Sequence, residues 1–194
     1  VVAAGLSGPR RLAAGAVRDF VLGAALMNAR GEELHFGGQV MKNVAGYDIS
    51  RLLPGSLGTL ALLLDVSIKV LPKPAATQTV SVAIDQQNAI QLMNSLAAQP
   101  WPLNASAWFN QTLYLRLCGA KAAVKSAVET FNTKYGMQSV ADESATAFWL
   151  SLKEQTHPWF ERQKPTDLWR LSLPTTSPVF NDEDTLIEWH GGQR

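Results

Sequence analysis

Gly55, Ser56, Leu57, Gly58 and Thr59 are the residues whose types and spacing lend themselves to chemistry. Two glycines that close together admit positive φ, and a turn built that way can swing several main-chain N–H groups toward one point. Such a concavity suits an oxygen-rich, anionic ligand. The same glycines also serve plain chain geometry ahead of a strand, so the local pattern leaves both readings open.

The flanking elements have to hold that turn. Downstream, Leu60 to Leu64 is continuously apolar, and Val66, Ile68 and Val70 then alternate with Asp65, Ser67 and Lys69. That pattern predicts a strand passing from a buried interior to a half-exposed edge, stopped at Pro72 and Pro74, which lack backbone donors. Upstream, Asp48 is placed to cap one helical turn over Ile49, Ser50, Arg51, Leu52 and Leu53, which ends before Pro54.

The run Lys42-Asn43-Val44-Ala45-Gly46-Tyr47-Asp48, continued through Pro54-Gly55-Ser56-Leu57-Gly58-Thr59-Leu60 to a strand closing on Pro72-Lys73-Pro74, resembles the FAD-linked oxidases of the vanillyl-alcohol-oxidase type. Ser7-Gly8-Pro9-Arg10-Arg11 and Gly15 to Gly23 narrow the likeness to the FAD-binding subunits of bacterial glycolate oxidase (glycolate dehydrogenase) complexes. It is closest over residues 1 to 74 and looser beyond.

The resemblance implies an α+β fold: the C-terminal part of a PCMH-type FAD-binding domain over residues 1–76, then a ferredoxin-like cap domain over 77–194. It implies FAD as cofactor and an oxidoreductase subunit that converts glycolate to glyoxylate and passes electrons to an iron–sulfur partner. A sister FAD subunit would complete the complex, and substrate oxidation could belong to either flavin chain. The alternative is a non-catalytic scaffold that retains the flavoprotein fold and presents an interaction surface. The cofactor-binding residues it implies are Gly5, Ser7, Gly8, Gly46, Tyr47, Asp48, Gly55, Ser56, Gly58, Thr59, Leu60, Ala61 and Leu62. Relatives of this type carry glycine and a β-branched residue where Ala61 and Leu62 stand, and Ala61 adds a Cβ where backbone would lie against the ring.

Oxidising a small 2-hydroxy acid calls for a base, a cation for the carboxylate and an aligned flavin. No His–Arg spacing fixes those roles, so Lys42, Tyr47, Arg51 and His35 are not distinguished and the catalytic residues stay unassigned. Neither a GxxxxGK[ST] loop nor a GxGxxG following a strand is present.

A formal net charge of +1, from 17 basic and 16 acidic side chains scattered along 194 residues, gives no case for nucleic acid or an anionic membrane surface. Cys118 is the only cysteine, which excludes a disulfide within the chain, and its apolar strand predicts a buried thiol. His35, His157 and His190 have no metal-site spacing. No run is long enough for a transmembrane helix, and the apolar run after Arg10-Arg11 is broken at Arg18 and Asp19, unlike an export signal. The chain reads as cytoplasmic, with peripheral attachment to the inner face of the membrane through partners left open. It opens on Val1 and stops in what reads as an unfinished strand, Ile187 to His190, so it is expected to be truncated at both ends.

The remaining pattern is regular. Residues 1–18 read as a Gly-rich loop or broken helix, and 20–36 as a hairpin turning at Asn28 to Gly31. Gly37 and Gly38 lead toward Val40 and Lys42, a lysine expected to be solvated. Val80, Val82 and Ile84 predict a strand, and Asp85 caps a helix with Ala89, Met93, Leu96 and Ala97 on its apolar stripe. A second hairpin turns at Asn110-Gln111 between Ala107–Phe109 and Leu113 to Leu117. A helix with Val124, Val128, Phe131 and Tyr135 on one face follows, ended by Gly136. Leu168 to Leu171 is the candidate sixth element of a split βαβ unit, and Ser144 to Gln155 an additional helix. Trp149, Trp159, Trp169 and Trp189 are expected in the core, with an interface role as the other option.

Overall fold

The computed structural model describes residues 1–39, 46–162, 168–179 and 184–194. Lys42 therefore lies outside the described residues. The chain forms two compact units, one made of Val1–Ser7 and Ala14–Lys73, the other of Gly8–Ala13 and Pro74–Arg194.

The first unit is built on an antiparallel sheet in the order β2-β1-β3, with β1 at Val21–Met27, β2 at Glu33–Gly37 and β3 at Leu62–Ile68. The hairpin closes on Asn28, whose Oδ1 accepts from the amides of Arg30 (2.9 Å) and Glu32 (3.1 Å). A short side chain that can bond its own downstream backbone explains the turn. Ala24, Leu26 and Leu53 form the small core, with Phe36, Ala61 and Leu63 packed on it. Two register shifts interrupt the β1–β3 ladder.

β3 departs from the sequence reading. Leu60, Leu62 and Leu64 are 59%, 63% and 45% exposed, so the apolar run lies at the surface. The cause is topological: β3 is an edge strand, and only alternate residues reach the small core beneath.

In the second unit β4 (Ala76–Ala83), β5 (Leu103–Phe109), β6 (Thr112–Gly119), β7 (Gln138–Val140) and β8 (Ile187–Glu188) pair antiparallel in the order β7-β4-β6-β5-β8. α1 (Arg11–Ala14) is a single turn ahead of all of these, begun in the Gly8–Ala13 segment. α2 (Gln86–Ala97) follows β4, and α3 (Lys121–Tyr135) follows β6. The order β4, α2, β5, β6, α3, β7 with this pairing is a ferredoxin-like split βαβ arrangement. Its sixth element is β7, not Leu168 to Leu171. That segment forms no named strand, and Trp169 is 79% exposed. Beyond β5 the sheet gains β8, two residues long, which ends in a tight turn instead of a longer strand through His190.

Local chemistry accounts for the helices. Asp85 accepts from the Asn88 amide at 3.0 Å and caps α2. Gly136 ends α3 in the left-handed region at φ +67°. On α2 the buried residues are Ala89, Ile90, Met93 and Leu96; Ala97 faces solvent. These pack with Leu113, Leu115, Leu117, Val124 and Phe131 into the main core, where each fully buried leucine contributes roughly 1.5–3 kcal/mol. The other face of the sheet carries α4 (Asp142–Glu154), whose Trp149 and Leu152 cover Ala105 and Ala107. Cys118 is half-buried, its Sγ 3.3 Å from Thr77 Oγ1, because it alternates onto that second face. No helix among the described residues is long and apolar enough to cross a membrane.

Candidate functional site

In the first unit the opening segment binds the Gly55 turn along its backbone. The amide of Gly55 donates to Val2 O (3.1 Å) and that of Leu57 to Ala3 O (2.8 Å). Gly5 makes this approach possible, since a Cβ there would stand 3.0 Å from Gly55 Cα. Gly55, Leu57 and Gly58 all take positive φ (+84°, +53° and +79°), so the chain coils back on itself within four residues.

Several of the expected donors are engaged elsewhere. Ser56 N donates to Leu53 O at 3.1 Å and Thr59 N to Ser56 O at 3.0 Å, with Thr59 Oγ1 on the same carbonyl at 2.6 Å. The amides of Gly58 and Leu60 donate to no main-chain carbonyl among the described residues. A Cβ at Gly55 or Gly58 would meet nothing within 4 Å among the described residues, which leave the outer face of the turn open. Ala61 directs its methyl into the small core, and Leu62 enters β3 opposite Met27.

The other sequence-derived candidates divide. Ser7 places a buried hydroxyl that has no hydrogen-bond partner among the described residues. Gly46 is left-handed (φ +82°) with open space at its Cβ position, and Tyr47 is 95% exposed. Asp48 is a cap: it accepts from Arg51 N (3.3 Å) and Ser50 Oγ (2.6 Å) and lies 3.0 Å from Arg51 Nε. Gly8 belongs to the second unit, where its carbonyl accepts from Trp189 Nε1 at 3.2 Å.

The sequence reading missed a group of arginines in the second unit. Arg11 and Arg170 both lie over the Trp189 ring, at 4.8 and 5.1 Å, and Arg116 lies 4.8 Å from the centre of Trp149. Glu188 sits within Coulombic reach of Arg116 and Arg170, with its Oε1 buried and without a hydrogen-bond partner among the described residues. Burial pushes the Glu188 carboxyl up to about 7, while Arg170 and then Arg116 pull it down. The only sequence signal was the Arg10-Arg11 pair, whose spacing says nothing of a partner near Trp189.

Glu188 carries a pH prediction. The folded chain keeps a proton that the unfolded chain releases above 4.5, so this residue costs stability as pH rises from 4.5 toward 7. Glu188→Gln is expected to be nearly neutral at pH 4.5 and stabilising by on the order of 3 kcal/mol at pH 8. Melting curves of both proteins across that range check it, and a constant difference would refute it.

With this geometry in view, the likeness to known proteins is specific. No protein-family model matches the chain. Glycolate oxidase subunit GlcE of Escherichia coli is 42% identical over all of this chain, which covers 53% of that protein. This chain resembles a glycolate oxidase subunit from end to end. Glycolate oxidase subunit GlcD of Bacillus subtilis is 42% identical over 72 residues, 37% of this chain and 15% of that protein. The chain thus spans about half the length, or less, of these curated relatives. Among solved structures, an alkyldihydroxyacetonephosphate synthase matches 82% of this chain and 36% of its own, with a TM-score of 0.58 at 15% identity, which is a likeness of fold.

Proposed function

We propose that this chain is part of the FAD-binding subunit of a glycolate oxidase or dehydrogenase complex, with residues 1–76 the second half of the flavin domain and 77–194 the cap. The observation that carries this reading is the 42% identity to GlcE along the full chain. Glycolate gives up two electrons and two protons to become glyoxylate, and FAD, when bound, supplies the two-electron acceptor.

The residues present fit such a group. An isoalloxazine and its pyrophosphate need main-chain donors and close backbone approach, and the open amides of Gly58 and Leu60, the bare Cα of Gly55 and the unpartnered Ser7 hydroxyl supply these. Gly5, Gly46, Tyr47, Ser56, Thr59, Ala61 and Leu62 join the proposed set through the family likeness, Ala61 with its methyl turned into the small core, and Asp48 caps the helical turn ahead of the glycines. Gly8 belongs to the proposed set through the family likeness alone. Low side-chain charge at the turn agrees with a neutral ring held by amides.

The partners proposed are a sister flavin subunit and an iron–sulfur subunit, in the cytoplasm or at the inner face of the membrane through those partners. The test is optical. The intact protein purified with its partners should show a flavin spectrum that bleaches with glycolate under anaerobic conditions. Equal bleaching by the sister subunit alone would move substrate oxidation off this chain, and a colourless preparation would remove the flavin assignment.

A further inference from the structure

Arginines of the second unit gather around two tryptophans, and the carboxylates near them are too few to answer their charge. Arg11 and Arg170 both lie over the Trp189 ring, and Arg116 lies over Trp149. Arg10 is close enough to Arg116 for their like charges to be felt. None of the four forms an ion pair among the described residues. The other charges nearby do not cancel them. The stem of Lys153 lies where a Cβ at Gly8 would meet it, and its ammonium is paired with Glu154. Asp142 lines the cleft that Arg116 borders, and Glu188 is buried, which favours its neutral form. Like charges gathered this way repel one another, and an acidic ligand relieves the repulsion.

The group faces solvent. Arg10, Arg11 and Arg170 are exposed, whereas the Trp189 ring that two of them cover is buried. Arg11 and Arg170 are also held in place. Contact with Trp189 restrains both, and Arg170 Nη2 donates to Gln193 Oε1 at 2.9 Å, so a ligand that meets them immobilises little that is free. Their neighbours along the chain are apolar: Leu12 beside Arg11 is 49% exposed and Trp169 beside Arg170 is 79% exposed. Tryptophan and arginine are the residue types that dominate the energetics of protein interfaces.

We infer that this surface docks an acidic segment of a partner polypeptide, whose carboxylates meet Arg10, Arg11 and Arg170. Guanidinium groups fixed by ring contacts suit carboxylates held at set spacing along a peptide. A bilayer of mobile headgroups gains nothing from that fixity, and a net charge of +1 over the chain supplies little long-range attraction to an anionic membrane. The inference involves the second unit alone and no flavin, so it can fail while the flavin assignment stands.

Fluorescence anisotropy of the full chain with labelled octaglutamate tests it, with a neutral glycine–serine octapeptide and phosphatidylcholine vesicles containing phosphatidylserine beside it. Saturable binding of octaglutamate is expected, with none of the neutral peptide. Arg10→Gln removes a charge whose side chain makes no hydrogen bond or ring contact among the described residues, and should weaken octaglutamate by about threefold. Arg11→Gln combined with Arg170→Gln should weaken it by about tenfold or more. Lys125→Gln combined with Lys134→Gln makes the same change of charge on α3, which packs on the other face of the sheet, and should leave affinity within about twofold. Absence of saturable octaglutamate binding, equal weakening by the lysine pair, or tighter attachment to the vesicles than to octaglutamate each overturns the assignment. Should the double arginine variant fail to fold, unchanged affinity in Arg10→Gln overturns it.

Discussion

Gly58→Val is expected to strip flavin from the intact protein. Gly58 sits at φ +79°, where a β-branched residue costs roughly 1–3 kcal/mol in backbone strain. The strain is relieved by moving the turn, and the Gly58 and Leu60 amides move with it. An added side chain would also project from the open outer face, where the cofactor is proposed to lie. The flavin-to-protein ratio after purification should fall by about tenfold or more. Gly31→Val is the matched control, since Gly31 has nearly the same φ (+76°) and equally open surroundings in the β1–β2 turn. It should lose stability and keep its flavin. Equal flavin content in both variants and the parent would remove the Gly58 turn from the cofactor site.

The largest loss of stability is expected from Gly37→Ala. A Cβ there would lie 2.3 Å from the Leu22 carbonyl oxygen and 2.9 Å from Gly23 Cα, at a φ of +70°. Both obstacles are backbone, so neither can swing aside as a flexible side chain would. Relief requires parting β1 from β2 where Gly38 N donates to Leu22 O at 3.1 Å. A cost of roughly 3 kcal/mol follows, which lowers the melting temperature of a unit this size by roughly 10 °C or more. Gly38→Ala, one residue on, has open space at its Cβ and should melt close to the parent. Parallel melts of the two variants would disprove the clash if they coincided.

Elements fixed by nearby residues were legible in the sequence. The Asn28 turn, the Asp85 cap, the Asn110-Gln111 turn with both residues left-handed, and the Gly136 stop each depend on chemistry within a few positions. Elements fixed by distant pairing were not. β7 is three residues, Gln138–Val140, with no apolar signature, and exists because β4 offers it an edge. Leu168 to Leu171 has an apolar signature and no such partner among the named strands. Burial of the Leu60 to Leu64 run was misjudged for a related reason: hydrophobicity predicts that a strand wants cover, not that its sheet provides it. At the candidate site the glycine turn announced itself, but which amides stay open depends on Val2 and Ala3, some 50 positions upstream. The two arginines on Trp189, Arg11 and Arg170, come from stretches far apart in the chain, and spacing cannot reveal them.

The short stretch Gly8–Ala13 has a consequence for how the protein can be cut and how it emerges during synthesis. The chain leaves the first unit after Ser7, returns to it at Ala14 and leaves again after Lys73, so each unit is assembled from two separate stretches of chain. A clone begun at Pro74 would omit the carbonyl that receives the Trp189 indole proton and the guanidinium of Arg11 stacked on that ring. On the ribosome, Gly8 waits for a partner 181 residues later, which is a long loop to close. Excised versions of the second unit should therefore carry residues 8–13 back in, as a tethered or separate peptide.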